Sequence, residues 1–480
     1  MQTQQPSTET NTSDPIGQKK LQRNLENRHI QLIAIGGAIG TGLFLGSGKT
    51  ISLAGPSIIF VYMTIGFFLF FVMRAMGELL LSNLNYRSFT DFASDLLGPW
   101  AGYFTGWTYW FCWIVTGVAD VIAIAGYFTH WWPALPLWIP ALGTIGLLTA
   151  LNLLSVRMFG ETEFWFAMIK IVTICSLIVI GIVLVAISYQ PPETGVKASL
   201  SNIWASQGGL FPGGYMGFFA GFQLAIFSFL GVELVGTTAA EAKNPEKTLP
   251  RAINTIPIRI IIFYVLALGA IMAVTPWNQI DPEKSPFVTM FVLIGLPAAA
   301  GIINFVVITS AASSANSGVY STSRMLYGLA QFGVAPKLFG RLSHSSVPAN
   351  ALLFSCLCLL LGSGLIFVMP NVMEAFTFVT SIATCLFMFV WFIVLTSYIV
   401  FRLKRAHLHQ ASAYKMPGGL PMTFACLAFF IFVIILLTFE ADTRRALIIT
   451  PLWFAGLGFF YWLIKYRIRR IIERNKSSNP

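Results

Sequence analysis

From about residue 30 onward the chain alternates between long apolar runs and short polar stretches. A bilayer core about 30 Å thick takes roughly 20 helical residues per crossing. Runs of that size predict twelve spans, near residues 30–53, 56–82, 99–129, 133–155, 161–188, 215–240, 252–275, 286–315, 349–369, 375–401, 418–438 and 446–465, numbered 1 to 12 below. The pattern is compatible with span 8 continuing as a helix through Ser321-Thr322-Ser323-Arg324 to about Gln331. The expected fold is an all-α polytopic membrane protein of about twelve transmembrane helices, with no loop long enough for a soluble domain.

Two of these runs are interrupted in matching ways. Span 1 contains Gly36-Gly37-Ala38-Ile39-Gly40-Thr41-Gly42, and span 6 contains Phe227-Ser228-Phe229-Leu230-Gly231-Val232-Glu233. Each glycine weakens a helix interior by about 1 kcal/mol, and irregular backbone at membrane depth is tolerated where it lines a cavity. One break alone would be read as close helix packing; two in corresponding places point to a binding site between discontinuous helices 1 and 6. If each break opens a repeat, each repeat holds five helices. Five is odd, so the second repeat enters from the opposite side, giving a five-plus-five inverted repeat.

Charge orients this bundle. With the N-terminus inside, the cytoplasmic side receives 21 Lys and Arg residues and the other side only 5, Lys49, Lys197, Lys284, Arg444 and Arg445. That bias places both termini in the cytoplasm. The expected organisation is a disordered cytoplasmic tail over residues 1–27 and a ten-helix core over 28–410, with repeats near 28–190 and 211–410. Spans 11 and 12 follow over 411–466, then a basic cytoplasmic tail over 467–480.

Composition excludes an ordinary soluble protein: 56% of residues are apolar, 10% are charged, and the mean hydropathy is +0.73. The net charge of +11 does not indicate nucleic acid, because the basic residues lie in short stretches between apolar runs. All six cysteines fall inside apolar runs without metal or disulfide spacing, so they are expected to pack. The first ~25 residues lack the apolar region of a cleaved signal.

Several residues carry candidate chemistry. Unwinding in span 1 would expose N–H groups and the positive end of a half-helix, both suited to a carboxylate; Ile39, Gly40, Thr41 and Gly42 lie there. Phe227 precedes the second break and could close over a ligand. Glu233 is an acid deep in span 6, a position that fits either ion coupling or the holding of unwound backbone. Lys170 lies about nine residues, or roughly 13 Å, inside span 5. Either it snorkels or pairs statically, or it is a proton carrier whose charge responds to its surroundings. Ser313-Ser314-Ala315-Asn316-Ser317-Gly318 in span 8 suits interhelical hydrogen bonds or a cavity wall.

Other features have simpler readings. Gly46-Ser47-Gly48-Lys49-Thr50 resembles the end of a phosphate loop, but Leu43 stands where its first glycine is required; no nucleotide is expected. Arg74 and Glu78 are spaced for a local ion pair or gate contact. Asp442, Arg444 and Arg445 read as a solvated external face, and His344, His407 and His409 offer no metal geometry. No catalytic constellation is present, so an enzyme is not expected.

The run from Asn27 to Phe44 resembles the signature of the amino acid, polyamine and organocation transporter superfamily, in its bacterial amino acid permease branch, as does Ser313–Gly318. The similarity extends from about Leu21 to about Tyr466 and includes Leu97–Trp113 and Gly160–Lys170. The resemblance implies proton-coupled import of small neutral amino acids, D-alanine, D-serine and glycine, across the bacterial inner membrane by alternating access. It implies carboxylate contacts at Ala38, Thr41 and Gly42, amino-group contacts at the carbonyls of Phe227 and Leu230, and a coupling role for Lys170. Gly318 stands about where some relatives carry a large aromatic gate. No cofactor is implied beyond the proton. The alternatives are specificity for aromatic amino acids, proline or GABA, or an amino acid sensor without net transport.

Overall fold

The computed structural model describes residues 39–477, apart from 87, 155, 192–194, 206–207, 238–243, 345 and 370. Every regular element among them is helical, as lipid demands of a chain that must satisfy its own backbone hydrogen bonds. Ten helical stretches are long and apolar enough to cross a membrane, and Trp138–Leu154 adds a shorter one. The first stretch, Gly46–Ser82, contains the end of span 1 and all of span 2. Gly55, at φ +58°, turns the chain between them, and a side chain there would collide with Pro212. Twelve spans are thereby accounted for.

Span 8 differs from expectation at its start. Pro286–Leu293 is a separate short helix, and the long helix runs Pro297–Gln331. The reason is local: Gly295 takes φ +82°, Leu296 N–H reaches back to the Phe291 carbonyl, and Pro297 begins the next helix. Span 7 also begins earlier than expected, at Pro245, and widens to π geometry over Ile261–Leu266.

Span 3 (Pro99–Phe128) is the central helix, packing most extensively on spans 8 and 10. Span 12 is the most peripheral of the long helices, and large apolar side chains such as Ile448, Leu452 and Phe460 project outward from it. Cys112, Cys356, Cys385 and Cys426 are buried, Cys358 is half-buried and Cys175 faces outward, all as free thiols.

Two surface expectations are corrected. Arg74 does not pair with Glu78; it stacks over Tyr414 at 3.9 Å and bonds Asn254 and the Lys415 carbonyl. Glu78, fully buried, instead accepts from His409, Tyr398 and the Met416 N–H, because the segment after span 10 folds back across span 2. Asp442 is not simply solvated, since Lys49 meets it at 3.7 Å and lies 3.5 Å from Thr377. Just beyond span 10 Arg405 bonds Asp95 at 2.7 Å and holds its carboxyl below the usual carboxylate range.

Candidate functional site between the two broken helices

Span 6 is α-helical over Gly214–Ala225, tightens to a 3-10 turn over Ile226–Phe229 and then breaks. Leu230 is extended and Gly231 takes φ +101°, a conformation that a side chain would strain. The helix resumes at Leu234–Thr237. Glu233 braces this break, its Oε2 accepting the Gly231 N–H at 3.1 Å. Its Oε1 is buried without a hydrogen-bond partner among the described residues. From the other side Tyr264, in the widened turn of span 7, donates to the Ser228 carbonyl at 2.7 Å, and Tyr62 lies 3.1 Å from the Ser228 hydroxyl.

In span 1 a helical turn begins at Thr41–Phe44 after an extended Gly40, so the first N–H groups lack partners within the helix. Ala38 lies outside the described residues. The two breaks face each other: a methyl placed on Gly42 would lie 2.6 Å from Ser228 Cα and 2.9 Å from the Phe227 ring.

Gly40, Thr41, Gly42, Phe227 and Leu230 line a cavity together with Thr116, Ser228 and Ser314. It holds about 220 Å³ of non-atom space, counting the part open to solvent. The enclosed space is about that of one water molecule, so a substrate would enter it only as the two breaks part. The cavity presents the polarity a zwitterion needs, with N–H groups at one break and carbonyls at the other.

The other predicted residues lie around this cavity. Lys170 is fully buried and donates to the Ile39 carbonyl at 3.0 Å; Ser310 donates to the same oxygen at 3.1 Å. The ammonium thus holds the bend of span 1 rather than reaching the interface. Asn316 receives a 2.7 Å hydrogen bond from Asn152 and does not line the cavity. Gly318 lies against Trp113, whose Cε3 would be 2.8 Å from an added methyl.

Sequence reasoning missed two buried acids. Asp120 in span 3 accepts the Thr41 hydroxyl at 2.6 Å, and Glu163 in span 5 accepts the Ser313 hydroxyl at 2.6 Å. Both are fully buried, and both interact electrostatically with Lys170. The signal was available, since an acid inside an apolar run is costly enough to need a reason. No group of three or more His, Cys, Asp or Glu side chains arranged to hold a metal occurs among the described residues.

Residues 29–473 match the amino acid permease family. The chain is 68% identical over 447 residues to the D-serine/D-alanine/glycine transporter of Escherichia coli K12, covering 93% of this chain and 95% of that protein. It is 50% identical to the amino-acid permease AapA of Bacillus subtilis 168, over 94% of this chain and 96% of the relative. A probable threonine/serine transporter of the same Bacillus strain is 44% identical, over 96% and 99% respectively.

Proposed function

Because the chain belongs to the amino acid permease family and is an amino acid transporter, we propose that its substrates are D-alanine, D-serine and glycine, imported together with a proton. The observation that carries this reading is the small cavity bounded by both helix breaks. A substrate carboxylate would sit against the N–H groups of Gly40–Gly42, and its ammonium against the carbonyls of Phe227 and Leu230. Phe227, Thr116 and Leu230, which line the cavity, would bound the substrate side chain. The 68% identity to a transporter of that name supports the substrate class.

Transport follows from alternating access, in which two inverted five-helix repeats expose the cavity to each side in turn. Lys170 is the proposed proton carrier, since its bond to Ile39 ties its protonation to the shape of span 1. Glu233 is the second candidate, with an oxygen at the other break that has no hydrogen-bond partner among the described residues. We place the protein in the bacterial inner membrane with both termini in the cytoplasm. Reporter fusions at Asn479 and near Lys284 should then report opposite sides.

The deciding experiment is competition of labelled D-alanine uptake by a panel of D- and L-amino acids. Glycine and D-serine should compete, and amines lacking a carboxylate should not. If tryptophan competes as well as glycine, the small-substrate assignment is wrong.

A further inference from the structure

Thr41 has one hydrogen to donate and two lone pairs. Its oxygen lies 2.6 Å from Asp120 Oδ1. An ionised carboxylate can only accept, so it takes the single Thr41 hydrogen. What Thr41 then presents to the cavity it lines is lone pairs, which repel a substrate carboxylate. Asp120 itself stays behind the cavity wall, one helical turn beyond Thr116 on the same face of span 3. Its second oxygen, Oδ2, is buried without a hydrogen-bond partner among the described residues.

We propose that Asp120 sets the polarity of the Thr41 hydroxyl, so that a proton on Asp120 converts Thr41 from an acceptor facing the cavity into a donor to the substrate carboxylate. Asp120 is thereby a positioning residue that links proton binding to substrate binding. The inference rests on the reading that the carboxylate meets Thr41.

The exchange is balanced in every atom. A proton arriving from the outer solution forms an O–H bond on the Asp120 carboxyl. That O–H donates to Thr41 Oγ1, and the Thr41 hydrogen, still covalently bound, rotates about the Cβ–Oγ bond toward the cavity. When the cavity opens inward, Asp120 returns its proton to cytoplasmic water. The Thr41 hydrogen swings back, and the carboxylate loses its donor.

The surroundings limit which other charges can take part. Thr41 of span 1 and Ser314 of span 8 are the polar neighbours, and Lys170 of span 5, itself beside Glu163, is the charge that acts on Asp120. Trp138–Leu154, Ala349–Ser363, span 10 between Glu374 and Arg402, and span 12 between Arg445 and Lys465 also border span 3 or its neighbours and contain no Asp, Glu, Lys or Arg. Asp91 and Asp95 lie beside the start of span 3, about 30 Å of helix from Asp120.

The test is the half-saturating D-alanine concentration for uptake and counterflow in proteoliposomes, measured from acid to mildly alkaline external pH. In the unmodified protein it should rise about tenfold or more as pH rises, the worth of one charge-assisted hydrogen bond. Asp120→Asn keeps a donor toward Thr41 in every state. It should show the tight acid-side value at all pH, retain counterflow and lose accumulation driven by a pH gradient. A merely structural role would lower the maximal rate and leave the pH dependence of affinity unchanged, and that result overturns the proposal.

Thr41→Val provides a second route if Asp120→Asn does not reach the membrane. It should bind weakly with a flat pH profile, and a profile as steep as in the unmodified protein overturns the proposal. If Thr41→Val binds with unmodified affinity, the placement of the carboxylate is itself wrong, which is a separate failure.

Discussion

Gly42 lies against Ser228 so closely that a single methyl group on it would come within 2.6 Å of the Ser228 Cα. The obstacle is backbone, which cannot rotate away as a side-chain tip would. Span 1 and span 6 therefore meet at a contact that only glycine permits.

Gly42→Val should push the two breaks apart and destroy the cavity while leaving the protein in the membrane. Overpacking of this kind costs about 1–3 kcal/mol, or roughly one to two orders of magnitude in apparent affinity. Labelled D-alanine uptake by membrane vesicles, normalised to protein amount, measures it. Unimpaired uptake by the variant would remove the basis for placing the substrate there.

Phe227 forms one wall of the cavity and stands edge-on to Phe376, with ring centroids 5.8 Å apart. Phe227→Ala should weaken glycine and D-alanine uptake, since truncating a buried phenylalanine costs about 3–5 kcal/mol of contacts where the site cannot collapse. It should also admit larger side chains. Competition by leucine and phenylalanine should rise relative to glycine, and an unchanged rank order would show that Phe227 does not set pocket size.

Lys170→Gln keeps a donor of similar length toward the Ile39 carbonyl but cannot exchange a proton. Accumulation driven by a pH gradient should be lost, with substrate exchange retained in part. Uphill uptake near the unmodified rate in proteoliposomes would locate the coupling elsewhere, with Asp120 and then Glu233 next to be tested.

Glu78 collects two donors, His409 and the Met416 N–H, from the segment that folds across span 2, and a third from Tyr398 of span 10. Glu78→Gln keeps the shape but turns one acceptor oxygen into a donor facing the three groups that bond it, at a cost of about 1–3 kcal/mol. Thermal unfolding in detergent should show a lower midpoint. The His409→Ala midpoint should fall too, by less, because His409 is the more exposed partner. No change in either variant would mean that this contact does not hold the segment.

The glycine-marked breaks were legible because backbone freedom is written in residue type. Lys170 stood out because a deep charge is costly wherever its partner lies. Asp120 and Glu163 obeyed the same rule, but their roles depend on hydroxyls 79 and 150 residues away, which spacing along one helix cannot reveal. Spacing also suggested an Arg74–Glu78 pair, and it failed because Tyr414, Asn254 and Lys415 offer Arg74 better partners from segments distant in sequence. The start of span 8 was misplaced because Pro286–Leu293 is as apolar as a true span; the Gly295-Leu296-Pro297 punctuation was the signal that mattered.

The π turn at Ile261–Leu266 makes span 7 sensitive to length as well as to composition. Such a turn accommodates one residue more than an α-helix needs, and each residue of an α-helix advances the azimuth by about 100°. Removing a single codon there would restore regular winding and leave hydropathy and charge almost untouched. The two halves of span 7 would keep their facing, because the wide turn already absorbs the extra residue, but the side chains within it would be redistributed and Tyr264 would no longer point at the Ser228 carbonyl. A three-nucleotide deletion in this stretch would act on the substrate cavity without altering any residue that lines it.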